Sequence, residues 1–370
     1  MIRTSRAHLQ VEALTDSGVV GKNNEDRYAV SSFLPDEGDQ TPVLFAVISD
    51  GIGGHRGGEV AAELAVNHIM QAVAASNGRN PRWIIERAVE EASDAIAAHS
   101  AADENLKGMG ATCACAWIIG DLLYTAYVGD SRMYLLRGGR IQQLTTDHTW
   151  VQEAIDRGIL TPELAREHPN VHVIRRYLGS PVPPDPDFRL RLFDGEGDHQ
   201  AEANQGLQIL PNDILLMCTD GLTDLVWNDE ILETIRLKGS LKDAARALID
   251  LANQRGGHDN ITVILIGAPS DFKLETKQKA DWLPWVIGGV AGVVVGLAFA
   301  SILTLSLLRR TPSATATPVS PALTSRSTLT FASPTPLLPL TPSPEMAVVP
   351  ESTLPITPTY TPWPTNTVMP

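Results

Sequence analysis

From Trp285 to Leu308 the chain reads WVIGGVAGVVVGLAFASILTLSLL, 24 residues without a charge. As a helix this run would be about 36 Å long, enough to cross a bilayer. Trp282, Trp285, Arg309 and Arg310 stand where interfacial anchors belong. Beyond Arg310 lie 60 residues rich in Thr, Ser and Pro, with only Arg326, Glu345 and Glu351 charged. Proline at that density removes backbone donors and forbids helix, so residues 309–370 are expected to be a disordered, polyproline-like tail. A packed fold must therefore come from the first 270 residues. Residues 271–284 read as a juxtamembrane linker and 285–308 as the single transmembrane helix.

Lys273, Lys277 and Lys279 precede the span and Arg309 and Arg310 follow it, a weak positive-inside bias toward an inside N-terminus. The opening MIRTSRAHLQVEAL has no apolar stretch of a secretory signal. Both point to a cytoplasmic globular domain and an extracellular tail. The formal net charge of −14 argues against nucleic acid as partner and suits divalent cations. Three cysteines without CxxC spacing, Cys113, Cys115 and Cys218, suggest neither a disulfide framework nor a thiolate zinc site, and a reducing compartment.

Within residues 8–268 apolar runs of strand length alternate with helical patterns. Strands are expected at Val43–Ile48, Thr112–Ile119, Leu122–Val128, Arg132–Leu136, Ile214–Cys218 and Ile261–Ile266. Gly120-Asp121 and Gly138-Gly139 each separate a pair of such runs by two residues, the spacing of a hairpin, which favours antiparallel pairing. Ala62, Val66, Ile69 and Val73 form one helical stripe, and Ile85, Ala92 and Ile96 another. One-faced helices must cover sheets, so the expected fold class is α+β: a four-layer αββα sandwich of two antiparallel sheets flanked by helices.

Aspartates fall at the ends of these strands. LFAVIS runs into Asp50-Gly51, LLYTAYV into Gly129-Asp130 and ILLMCT into Asp220-Gly221, while Asp259-Asn260 opens ITVILI. If the strands ending in Asp50 and Asp220 run antiparallel to the one beginning at Asp259, the three carboxylates share a rim. Like charges gathered there repel, and a bound cation relieves the repulsion. Ligands made of carboxylate, carbonyl and water favour Mg²⁺ or Mn²⁺. Two such ions can activate a shared water for in-line attack on a phosphoryl group, with no side-chain nucleophile.

The wording and order of seven blocks resemble the metal-dependent serine/threonine protein phosphatases of type 2C, the PPM family, over residues 8–268. The blocks are LTDSGVVGKNNEDRYAV (14–30), VISDGIGGHRGGEVAA (47–62), GMGATCACA (108–116), YVGDSRMYLLRGGRIQQLTTDHTWV (127–151), HVIRRYLG (172–179), DILLMCTDGLTDLV (213–226) and GGHDNITVIL (256–265). The resemblance implies that Asp50 bridges two Mn²⁺ or Mg²⁺ ions, with Asp220 and Asp259 completing the first ion's protein ligands. Glu25 and the Gly51 carbonyl would hold the second, with Asp26 supporting through water. Asp130 with Asp220 would bind a third, weaker ion, and Asn260 would be a hydrogen-bonding residue beside the site. The segment from His148 to Gly179 resembles the family's flap, with a helical stretch around Val151–Arg157 and an influence on substrate choice. Partners implied are phosphorylated proteins, among them bacterial serine/threonine kinases or their targets.

Two departures stand out. Many relatives read GxVRxxNED, with an arginine that holds the substrate phosphate; here Gly21 occupies that position and Lys22 follows, so Lys22 is the substitute for phosphate binding and a weaker grip is expected. Eukaryotic relatives carry a histidine after the Asp-Gly of the second block, where Ile52 stands; His55 reads as a turn or cap residue. His148, His168, His172, His199 and His258 read as surface or structural residues. The alternative to an enzyme is a phosphatase-fold signalling module, weak or inactive, that binds phosphoproteins and is coupled to the membrane helix; loss of the arginine is its support.

Overall fold

The computed structural model describes residues 1–20, 23–53, 57–182 and 184–272. In chain order, β1 (Ile2–Thr4), β2 (Gln10–Asp16), β3 (Arg27–Leu34), β4 (Val43–Ser49) and β5 (Gly51–Ile52) lead into helices α1 (Gly57–Ala75) and α2 (Pro81–Ala102). Strands β6 (Gly110–Ala111), β7 (Cys113–Ile119), β8 (Leu122–Val128), β9 (Arg132–Arg137) and β10 (Arg140–Gln143) follow, then short helices α3 (Trp150–Asp156), α4 (Pro162–Arg166) and α5 (Asp198–Ala203). The remainder is β11 (Leu207–Gln208), β12 (Ile214–Cys218), α6 (Asp220–Thr223), α7 (Asn228–Leu237), α8 (Leu241–Gln254) and β13 (Ile261–Gly267).

Two main antiparallel sheets result, ordered β1-β3-β4-β7-β8-β11 and β10-β9-β12-β13-β2, with a β5-β6 pair beside them. Strands β4, β7 and β13 are buried at nearly every position because both faces of each sheet are covered. Along β7, Cys113, Cys115 and Trp117 pack with α1 and α2, while Ala114, Ala116 and Ile118 meet the second sheet. Along β13, Ile264 and Ile266 face the first sheet, and Ile261, Val263 and Leu265 pack against α8. Side chains alternate faces with period two, so one strand feeds two cores and the layers run helix, sheet, sheet, helix.

Both expected hairpins form: Gly120 (φ 62°) turns β7 into β8, and Gly138 (φ 58°) with Gly139 (φ 78°) turns β9 into β10. The expected stripe of α1 is buried throughout, as are Ile85, Ala92 and Ile96 of α2. Strands β1, β2 and β3 were not in the sequence expectation. QVEALTD and RYAVSSFL carry polar residues on both faces; β2 is an edge strand, and most residues of both strands are only half-buried. All three cysteines are free and buried. Among the described residues no helix is long and apolar enough to cross a membrane. The expected span at 285–308 and the tail at 309–370 lie outside the described residues.

Trp117 is fully buried, its ring edge-on to Phe45 with centroids 5.6 Å apart. Trp117→Ala is expected to cost about 3–5 kcal/mol of unfolding free energy, measured by denaturant titration with Mn²⁺ present throughout.

Candidate active site

Strand register brings the acids together. Cys218 of β12 pairs with Val263 of β13 and with Arg132 of β9, so Asp220, just after β12, Asp259, just before β13, and Asp130, just before β9, leave the second sheet at one end. In the first sheet Ser49 of β4 pairs with Arg27 of β3, which sets Asp50 beside Glu25 and Asp26. Asp50 feels the charges of Asp26, Asp220, Asp130 and Asp259, so the two groups of acids face each other across the gap between the sheets.

This repulsion, added to burial, governs protonation. Burial first, then the neighbouring carboxylates, hold Asp50 and Asp220 well above the usual carboxylate range. Asp130 is pushed up to about 7 by burial and by Asp147. Asp26, only 2% exposed, is also raised to about 7 by burial, although Thr262 and Thr219 donate their hydroxyls to its Oδ2 at 2.6 and 2.9 Å.

The donors present fit hard divalent cations. Asp26 Oδ1 and Asp220 Oδ1 are buried and accept no hydrogen bond from the described residues. A Cβ placed on Gly58 would lie 2.6 Å from both Glu25 Oε2 and the Gly51 carbonyl oxygen, so these two oxygens converge on a cradle that only glycine leaves open. Asn260 keeps Glu25 in place: its Oδ1 accepts the Glu25 N–H at 2.6 Å, and its Nδ2 donates to the Ser17 carbonyl at 3.2 Å. Asp259 is exposed at the lip, its Oδ1 accepting the Asn260 N–H at 2.9 Å.

Sequence reasoning missed two residues here. His172, Asp220 and Asp224 each bring a potential ligand atom within 4.8 Å of the others. Asp224 follows Asp220 by four positions, on the same turn at α6, a spacing readable in TDGLTD. His172, expected to be a surface or structural residue, comes from the 148–179 segment to within 3.5 Å of Asp224 Oδ2. His148 is structural as expected: buried, it bonds Asp187 at 3.2 Å. The helical stretch expected around Val151–Arg157 is α3; the segment also holds α4, whose Arg166 donates to the Thr223 carbonyl while its guanidinium lies 3.8 Å from the Trp227 ring centroid. Two arginines whose charges reach the acids, Arg27 at Asp26 and Arg132 at Asp130, are occupied. Arg132 makes a forked pair with Asp147, with a shortest contact of 2.6 Å, and Arg27 bonds Glu59 and the Asn24 and Asp26 carbonyls. Gly21, Lys22 and His55 lie outside the described residues.

The sequence pattern of the family described as Protein phosphatase 2C matches residues 18–261. The chain belongs to this family. Its bacterial members are metal-dependent serine/threonine protein phosphatases. The chain is 35% identical over 259 residues to the serine/threonine protein phosphatase PstP of Mycobacterium tuberculosis, covering 70% of this chain but only 44% of that protein, so less than half of PstP has a counterpart here. A solved serine/threonine phosphatase of S. agalactiae superposes with TM-score 0.61 at 31% identity, covering 70% of this chain and all of the other. The PstP catalytic domain, solved in complex with two manganese ions, superposes with TM-score 0.57 at 32% identity over 70% of this chain and 97% of that one.

Asp26 and Asp130 keep protons up to about pH 7 in the metal-free fold but release them near pH 4 once unfolded. The native state then binds more protons, so metal-free stability is expected to fall as pH rises between about 4 and about 7. Asp50→Asn should raise the melting temperature of EDTA-treated protein by about 2–4 °C per kcal/mol of relieved repulsion and remove the rise that Mn²⁺ produces, both read by thermal scans.

Proposed function

We propose that this chain hydrolyses phosphoserine and phosphothreonine in proteins, using two Mg²⁺ or Mn²⁺ ions at the acidic rim. The observation that carries the reading is the meeting of Asp26, Asp50, Asp130, Asp220 and Asp259 in one electrostatic cluster, with buried carboxylate oxygens left over for a cation. Asp50 would bridge the ions, Asp220 and Asp259 would complete the first, and Glu25 with the Gly51 carbonyl would hold the second. Asp26 would support through water, and Asp130 with Asp220 would take a third, weaker ion. When bound, such a pair supplies Lewis-acid activation of a water and of the phosphoryl group.

The chain's own residues hold the donors at fixed places. Thr219 and Thr262 fix Asp26, and Asn260 fixes the Glu25 peptide. No side-chain nucleophile is required. Phosphate binding would fall to Lys22, a point charge without arginine's fork, because Arg27 and Arg132 are spent on structural bonds. The 148–179 segment would influence which phosphoproteins reach the rim.

The same reading places residues 1–270 in the cytoplasm as the catalytic domain, tethered through 271–284 by a single helix at 285–308, with 309–370 outside the cell. Its substrates would be serine/threonine kinases or their targets, by analogy with the relatives. Retention of the whole carboxylate set weighs against a binding module without activity, which has no chemical need for acids that repel one another.

Purified protein is expected to hydrolyse a phosphothreonine peptide only with Mn²⁺ or Mg²⁺, to stop with EDTA, and to lose at least a hundredfold in kcat in Asp50→Asn or Asp220→Asn. A metal-loaded, folded protein that hydrolyses no phosphopeptide would favour the binding module. Gly21→Arg should lower KM for the peptide several-fold with kcat little changed, in steady-state assays on both proteins.

A further inference from the structure

The hydrogen bonds around Asp50 converge on Thr112, a fully buried residue between β6 and β7. The Thr112 N–H donates to the Asp50 carbonyl at 2.8 Å, and the Asp50 N–H donates back to Thr112 Oγ1 at 2.9 Å. One residue thus grips the Asp50 backbone on both its donor and its acceptor side. Ser49, one position earlier, donates its hydroxyl to the Thr112 carbonyl at 2.7 Å.

The same side chain reaches the second sheet's acidic turn. Thr112 Oγ1 lies 2.7 Å from Ser131 Oγ, and the two hydroxyls share a hydrogen bond. Ser131 directly follows Asp130. On its other flank the threonine methyl packs against Gly129, which sits at φ 104°; a Cβ on Gly129 would lie 2.6 Å from Thr112 Cγ2. The Gly129–Ser131 turn is therefore bonded to one branch of Thr112 and packed on the other. Ser49 and Thr112 are 0% exposed and Ser131 is 2% exposed, so bulk water cannot replace these partners. An aspartate carboxyl carbon is two bonds from its Cα, so a shift of the Asp50 peptide passes directly to the carboxylate.

We propose that Thr112 is a positioning residue of the metal site: its hydroxyl fixes the Asp50 peptide and, through Ser131, ties it to the turn that carries Asp130. The proposal rests on the reading of Asp50 as a metal ligand. Valine has threonine's shape without its hydroxyl, and serine has the hydroxyl without the methyl, so the two substitutions separate hydrogen bonding from packing.

The test uses full-length protein stripped with EDTA, with Mn²⁺ affinity measured by titration calorimetry and kcat and KM measured on p-nitrophenyl phosphate. Thr112→Val is expected to weaken Mn²⁺ binding tenfold or more and to lower kcat, with KM changed less than twofold. Thr112→Ser should recover the affinity to within threefold of wild type, and Ser131→Ala should fall between the two. Wild-type affinity in Thr112→Val overturns the proposal, as does a Thr112→Ser protein as impaired as the valine variant. If Thr112→Val does not fold, Ser131→Ala decides: a severalfold loss of affinity supports the proposal, and no change overturns it. Asp50→Asn is run in parallel; wild-type Mn²⁺ binding there would remove the Asp50 assignment itself, an outcome distinct from failure of Thr112→Val alone.

Discussion

Carboxylates that repel one another are held at a single edge of the molecule, and the rest of the fold resists their separation. Burial and mutual repulsion both act on Asp50 and Asp220. Against them stand the antiparallel ladders of two sheets, since nearly every acid lies one or two residues beyond a strand whose register is fixed by its neighbours. Those ladders are in turn clamped by apolar layers on both faces. A strand slipped by one residue would exchange the side chains it gives to the two cores, so the placement of the acids inherits the specificity of their packing.

The centre of each sheet was legible because strands covered on both sides read as apolar runs, as VLFAVI and VILI do. Strands β2 and β3 were not, since they mix polar and apolar residues and stay half-buried. Asp50, Asp130, Asp220 and Asp259 were legible through their positions at strand ends, whereas Glu25 and Asp26 came only from the resemblance to the family. Asp224 could have been found from its four-residue offset to Asp220 on one helical turn. His172 could not: its approach to Asp224 is a long-range contact between a loop and α6, and no local pattern encodes it.

Threonine and serine do much of the local work around the acids. Thr219 and Thr262 bond Asp26, Thr15 bonds Thr262, and Asn24 bonds Thr15, which links β2, β12 and β13 beneath the rim. Threonine side chains are only weakly polar and pass unnoticed in a strand pattern, yet Thr219 and Thr262 each donate to the buried Asp26 carboxylate, which would otherwise be costly to bury. Arginine is used in the same structural way. Arg132, from the GDSR block, is paired with Asp147 and bonded to the Tyr134 phenol, so its charge is balanced inside the fold.

Arg166 rests on the Trp227 ring and on the Thr223 carbonyl at the end of α6, while Asp220 opens that same four-residue helix. So short an element has no interior to absorb a displacement. A displacement of the 148–179 segment therefore pulls on the helix that bears Asp220. By thermodynamic reciprocity, whatever free energy a cation on Asp220 would add to the anchorage of that segment, displacement of the segment would take from the binding of the cation.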